Sequence, residues 1–145
     1  MNTRPIDYIT EDFYESLSFM DGEQPDLNTI RELFHEDGLL INMSFGKPIT
    51  YSVESFVRML EDQVNDGALT QFMQRELNSE TQVFGRIAQR TSVYQYSFSY
   101  HDIENAPIGI SYIQYIQVDD IWRISSMIWN DEGANVKVPK EMTGL

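Results

Sequence analysis

Residues Gly109–Asn130, GISYIQYIQVDDIWRISSMIWN, carry the pattern that decides the fold. Apolar and polar side chains alternate with a period of two on both sides of Asp119-Asp120. That spacing belongs to half-buried strands, and two such runs across a two-residue polar turn read as an antiparallel hairpin. Upstream, the same period is predicted from Leu69 to Ser79 and from Gln82 to His101, with a bend or bulge near Gly85. A polar loop, Asp102 to Pro107, separates these strands from the hairpin. Four long strands therefore follow one another, and strands of roughly ten residues must twist strongly.

Before Leu69 the period is helical. Ile6, Ile9, Phe13, Leu17 and Met20 draw one apolar stripe, with Thr3 as N-cap, Pro5 in the first turn and Asp21-Gly22 as the end. Asp26 is predicted to cap a second helix whose apolar face is Leu27, Ile30, Leu33 and Phe34, broken by Asp37-Gly38. Leu39–Ser44 reads as a strand, Phe45–Pro48 as a turn and Ile49–Tyr51 as a short returning strand. Ser52 opens a third helix, carrying Val53, Phe56, Val57, Leu60 and Val64 on one side and stopped by Asn65-Asp66-Gly67. Residues 131–145 show no period and are expected to be irregular. Helices first and strands after argue for an α+β domain, with three amino-terminal helices on a strongly curved mixed or antiparallel sheet. Such a sheet closes into a cone around the first helix and leaves an internal pocket where helices do not fill the bend. One domain spanning residues 1–145 is expected.

Composition narrows the function. Hydrophobic residues make up 41% of 145, enough for a core without a staple. The absence of cysteine removes thiol catalysis, thiolate metal sites and disulfides. Ten basic residues against 23 acidic ones, a net charge of -13, disfavour nucleic acid and anionic membrane surfaces as partners. The first residues, MNTRPIDYITEDFYESL, lack the basic start and apolar run of a secretory signal, and no stretch approaches a bilayer span. A cytoplasmic location is expected.

The layout resembles the nuclear-transport-factor-2-like superfamily, which includes the SnoaL-like polyketide cyclases, ketosteroid isomerases and scytalone dehydratase. The resemblance rests on LFHEDGLL (33–40), with its Phe34-x-x-Asp37, on GRIAQRTSVYQY (85–96), on IGISYIQYI (108–116) and on WRISSMIWNDE (122–132). More narrowly the chain is similar to a bacterial group without an assigned reaction, through Gly85, Ala88, Ser92 and Tyr94, and in part through Gly109 and Gln114; Tyr112 stands where a small residue is usual. The resemblance implies a cone and a pocket; it does not imply a reaction.

Enzymes of this fold use a buried acid or base facing a polarising donor, which directs attention to acids on strands. Glu76 shares a strand face with Phe72 and Gln74, so it turns inward if Phe72 does. Arg90, on the Ala88–Ser92–Tyr94 face of the next strand, would supply the partner a buried carboxylate needs. Glu76 is thus the candidate base or, alternatively, half of a structural ion pair. His35, beside Glu36 and Asp37, is a poised base or a histidine bonding the terminal carbonyls of the second helix. His101 and Asp102 are neighbours on a strand and point apart, which argues against a dyad. Tyr94, with Tyr96, Phe98 and Tyr100 on its face, is a donor to a ligand, a core residue or part of an interface. Tyr14 lies off its helix stripe and can reach the pocket mouth, and Trp129 reads as a rim or interface residue. Gln74, Arg90, Ser92 and Gln114 are candidate orienting groups. Two histidines far apart give no metal-site signal, and no phosphate loop, nucleophile elbow or dinucleotide fingerprint is present. No cofactor is expected.

Two functions remain open at this level. The first is a pocket that binds an apolar, carbonyl-bearing compound or transforms it by isomerisation, cyclisation or dehydration. The second is a non-catalytic dimeric ligand-binding or assembly module that buries the tyrosines of its outer sheet face against a copy of itself, as a homodimer, or against another subunit.

Overall fold

A computed structural model describes residues 2–144. Helix α1 (Arg4–Leu17) and helix α2 (Leu27–Leu33) lead into strand β1 (Phe34–Asn42), which pairs with β2 (Ile49–Ser52) before helix α3 (Val53–Asn65). Strands β3 (Met73–Phe84), β4 (Ile87–Ser97), β5 (Ile108–Val118) and β6 (Ile121–Asp131) follow, and short 3-10 turns occupy Tyr100–Asp102 and Lys140–Met142. The six strands form one sheet in the order β2-β1-β6-β5-β4-β3. Every pair is antiparallel except β1 and β6, so the sheet is mixed. The architecture is the α+β class expected from the segregated periods.

The inward face of the sheet is set by alternation. Ala88, Arg90, Ser92 and Tyr94 on β4, and Ser111, Ile113 and Tyr115 on β5, are all buried. They pack with Ile124 and Met127 of β6 against α1, whose Ile6, Phe13 and Leu17 supply the buried stripe. Full burial of one such aliphatic or aromatic side chain is worth about 1.5–3 kcal/mol. At the β5–β6 turn, Asp119 and Asp120 take φ of 53° and 65°, the left-handed pair that a two-residue hairpin requires.

Several boundaries differ from the sequence reading, each for a local reason. Helix α1 stops at Leu17, a turn before Asp21-Gly22, because Ser18 Oγ bonds the Tyr14 carbonyl and the Gln74 backbone. Phe19 then pairs with Phe72 in a bridge and is itself buried. Thr3 does stand at the N-cap, but its hydroxyl donates to the Asp7 carboxylate at 3.1 Å rather than capping a backbone N–H. Helix α2, capped as expected by Asp26 accepting from Thr29 N–H, ends at Leu33 instead of Asp37. Phe34 is already sheet, opposite Ile124 and edge-on to Phe13, and a register shift follows before Leu39. His35 therefore lies on β1 and not on a helix end. Gly38 is needed for close approach: a Cβ there would sit 2.9 Å from the His35 carbonyl oxygen and 3.1 Å from the Phe34 ring.

Strand β3 runs to Phe84 rather than ending at Ser79, and β4 begins at Ile87 after a turn at Gly85. The polar run Asn78–Gln82 resembles a break because β3 is an edge strand, wet on much of its surface. Strand β4 ends at Ser97, leaving Tyr100 and His101 in a 3-10 turn; His101 is exposed, and the Asp102 side chain lies outside the described residues. Asp131, read from sequence as the first residue of an irregular tail, is the last residue of β6. The remaining tail is largely irregular and returns to β3, where Asn78 Nδ2 donates to the Met142 carbonyl at 3.2 Å. Leu145 lies outside the described residues. Among the described residues no helix is long and apolar enough to cross a membrane.

Candidate functional site

Between α1, α3 and the inward face of the sheet lies a cavity of about 420 Å³. Its walls are aromatic. Phe72, Tyr94, Tyr96 and Phe98 form one run with ring centroids 5.5–6.3 Å apart, and Tyr51, Phe56 and Trp129 form a second through edge-to-face contacts. The polar atoms are few. Asn42, Gln63 and Gln74 contribute amides, the tyrosines and Ser111 hydroxyls, and Asp131 a carboxylate.

Asp131 is placed by alternation from Trp129, which aims both side chains into the cone. Its backbone N–H donates to Ser44 Oγ at 2.9 Å, fixing the strand end. The Tyr94 hydroxyl donates to Asp131 Oδ1 at 2.6 Å, and the Tyr96 phenol is raised by burial and by the nearby Asp131 carboxylate. Burial raises the Tyr94 phenol well above its ordinary range, and the adjacent Asp131 carboxylate raises it further. Tyr94 is thereby held as a neutral donor. Across the strands Gly109 makes room for it: a Cβ on Gly109 would fall 2.6 Å from Tyr94 Cζ and 2.7 Å from the Asn130 carbonyl oxygen.

A second polar cluster lies behind the cavity wall. Arg90, only 6% exposed, donates from Nε to Glu76 Oε2 at 3.0 Å and from a terminal nitrogen to Glu76 Oε1 at 2.5 Å. Its other terminal nitrogen reaches Asp7 at 2.6 Å and Thr81 Oγ1 at 2.8 Å. Burial opposes the guanidinium charge, and the bonds from Glu76 and Asp7 outweigh it, so its pKa is raised on balance. Ser92 Oγ donates to Glu76 Oε2. Ser92 has no second proton, so the 2.8 Å contact with Tyr14 is a bond donated by the Tyr14 hydroxyl. Glu76 thus reaches the cavity only through Ser92 and Tyr14.

The sequence-selected residues divide accordingly. Tyr94, Tyr14, Gln74 and Trp129 line the cavity; Glu76, Arg90 and Ser92 meet one another just outside it. Gln114 is on the outer face, accepting from Ser126 Oγ at 3.1 Å. His35 is on β1 away from the cavity, its Nδ1 accepting from Asp37 N–H. His35, Glu36 and Asp37 hold their possible ligand atoms within 4.8 Å of one another, on a largely exposed bulge. Asp131 is the cavity residue that sequence reasoning passed over. Alternation from Trp122 and Ile124 leads past it to Ser126 and Ile128, because a register shift at Ser125 is what turns Met127, Trp129 and Asp131 into the cavity.

Three buried tyrosines give a pH prediction. Burial raises the phenols of Tyr14, Tyr94 and Tyr115, whose hydroxyls bond Ser92, Asp131 and Thr10. A folded pKa above the unfolded value near 10 means stability fully present below pH ~10 and lost as pH rises further. Each of the three should remove about 1.4 kcal/mol per pH unit above that point. Absorbance titration at 295 nm is expected to show these phenols ionising only as circular dichroism reports unfolding. All eight tyrosines titrating together in a folded protein would contradict it.

No protein-family model matches the sequence, and no curated protein matches it. Solved structures do. A protein of unknown function with a cystatin-like fold from Nostoc punctiforme is similar at a TM-score of 0.71 and 16% identity, over 91% of this chain and 92% of that one. A nuclear-transport-factor-2-like protein of unknown function from Pseudomonas putida gives 0.72 at 11% identity, covering 94% and 92%. Another, from Silicibacter pomeroyi, gives 0.63 at 15% identity, covering 91% and 100%. The chain has the nuclear-transport-factor-2-like fold. At these identities the likeness is one of fold, and within a nuclear-transport-factor-2-like cone the function must be argued from the cavity itself.

Proposed function

We propose that this nuclear-transport-factor-2-like protein binds a small, largely apolar molecule inside the cone, with the polar end of that molecule against Asp131. The observation that carries the reading is the aromatic cavity of about 420 Å³ with a carboxylate fixed at one point of its wall by Tyr94. Cavities of this size and lining are the usual form of small-molecule sites. Asp131 is also the cavity group able to accept a proton, so cofactor-free proton transfer on the bound molecule is the chemistry the arrangement permits. Glu76, saturated by Arg90 and Ser92, is assigned the role of orienting Tyr14. The carbonyl-bearing ligand expected from sequence would draw its donors from the amides or from the Tyr51 and Tyr96 hydroxyls, because the Tyr94 and Tyr14 protons are directed to Asp131 and Ser92. The proposed setting is the cytoplasm.

The test is a fluorescence titration with N-phenylnaphthylamine, which is apolar and uncharged at neutral pH. One saturable site per chain is expected, and Leu60→Trp, which fills the cavity from α3, should weaken binding at least tenfold. No saturable binding, or equal binding by the filled variant, would remove the reading.

Pairing of two copies through the outer sheet face is a second element. Tyr112 and Ile128 are cross-strand partners there, 55% and 39% exposed, which supports a self-complementary apolar contact. Sedimentation equilibrium should then give twice the chain mass.

A further inference from the structure

Resting on the reading above, we infer that the occupant of the cavity is a cation, a protonated amine carried on an apolar alkyl or arylalkyl body. Three independent features lead there.

The first is charge. Among the residues lining the cavity, Asp131 alone is charged at neutral pH, and no lysine, arginine or histidine joins it. None of the ion pairs among the described residues includes Asp131. A half-buried carboxylate facing an apolar space gains most from a positive partner, and an anionic ligand there would meet repulsion with nothing to offset it.

The second is the direction of the hydroxyl protons. Tyr94 gives its proton to Asp131. Tyr14 gives its proton to Ser92, because Ser92 has already given its own to Glu76. What these oxygens have left for a ligand is lone pairs. The amides of Asn42, Gln63 and Gln74 offer both donors and acceptors and so set no preference of sign. The acid and the Tyr94 oxygen bonded to it are therefore acceptors, which suits a ligand group that only donates. An ammonium has three donors and no acceptor.

The third is the wall. The rings of Tyr94, Tyr96, Phe98 and Trp129 line the cavity, and a desolvated cation that meets the face of such a ring is stabilised. The net charge of -13 adds a long-range attraction for cations approaching the molecule.

Competition against N-phenylnaphthylamine separates this inference from the cavity reading. The competitors are phenylbutylamine, phenylbutanol and phenylpentanoate, which share a body and differ in the charge of the head. The amine is expected to displace the dye at concentrations at least tenfold below the alcohol, and the carboxylate to be the weakest of the three. A hydrogen bond to a charged partner corresponds to roughly tenfold to a hundredfold in affinity. In Asp131→Asn the advantage of the amine over the alcohol should disappear, read as the ratio of the two affinities in the same variant. If the dye binds in the cavity and the amine does no better than the alcohol, or the carboxylate displaces best, the inference is overturned and the cavity reading stands. If the dye itself finds no site, both fall together.

Discussion

Glu76→Ala is expected to lower the stability of the folded chain by about 3 kcal/mol, the loss following from a guanidinium left short of charge inside the protein. Arg90 is 6% exposed, Glu76 20% and Asp7 47%. Breaking a buried pair by deleting one partner costs about 3–5 kcal/mol when both are fully enclosed. The residual exposure of Glu76 and the surviving bond to Asp7 place the expected loss at the low end of that range. Replacing both residues with apolar ones, as in Glu76→Leu with Arg90→Met, should recover most of the loss, because no uncompensated charge then remains. Urea unfolding of the two single variants and the double reads the coupling directly. A Glu76→Ala loss below about 0.5 kcal/mol, the size of a surface substitution, would show that the pair is solvated and structurally idle.

The second large effect is expected at Gly109. Gly109→Ala places a methyl 2.6 Å from Tyr94 Cζ and 2.7 Å from the Asn130 carbonyl oxygen, which belongs to the paired backbone of β6. The oxygen cannot retreat without opening the β5–β6 ladder, so the ring must move. Overpacking of this kind costs about 1–3 kcal/mol, and the movement carries the Tyr94 hydroxyl away from Asp131. Tyr94→Phe removes the same hydrogen bond without the clash and is expected to cost about 1 kcal/mol. The alanine variant should therefore be the less stable of the two, with a larger loss of dye binding. Unchanged stability and binding in Gly109→Ala would mean that Tyr94 is not seated as described.

How much of this was legible in the sequence follows the strength of each local signal. Ser111, Ile113 and Tyr115 repeat the period of two of a strand, whereas Ile124 and Met127 stand three apart because a register shift interrupts β6 between them. The Asp119-Asp120 turn was readable because two acidic residues between alternating runs tolerate left-handed backbone. The end of α2 was not, since Phe34 continues the helical stripe in sequence and is taken into the sheet by pairing with β6, a parallel contact nearly ninety positions away. Alternation along β3 does put Gln74 and Glu76 opposite Tyr96 and Tyr94 of β4, and Arg90 could be named from the same rule. What no one-dimensional pattern conveys is that Arg90 and Ser92 together occupy both Glu76 oxygens. Asp131 was not legible for a different reason: alternation from Trp122 and Ile124 points to Ser126 and Ile128. A register shift that leaves Ser125 unpaired in the ladder exchanges the faces, so that Met127, Trp129 and Asp131 turn inward.

The account stands or falls on where a small apolar molecule comes to rest. The most direct measurement is a set of intermolecular nuclear Overhauser effects from bound N-phenylnaphthylamine in the unmodified protein. Contacts to the rings of Tyr96, Phe98 and Trp129, which line the cone, are the predicted result. Contacts confined to Tyr112 and Ile128 on the outer sheet face, with none to the inner rings, would contradict it.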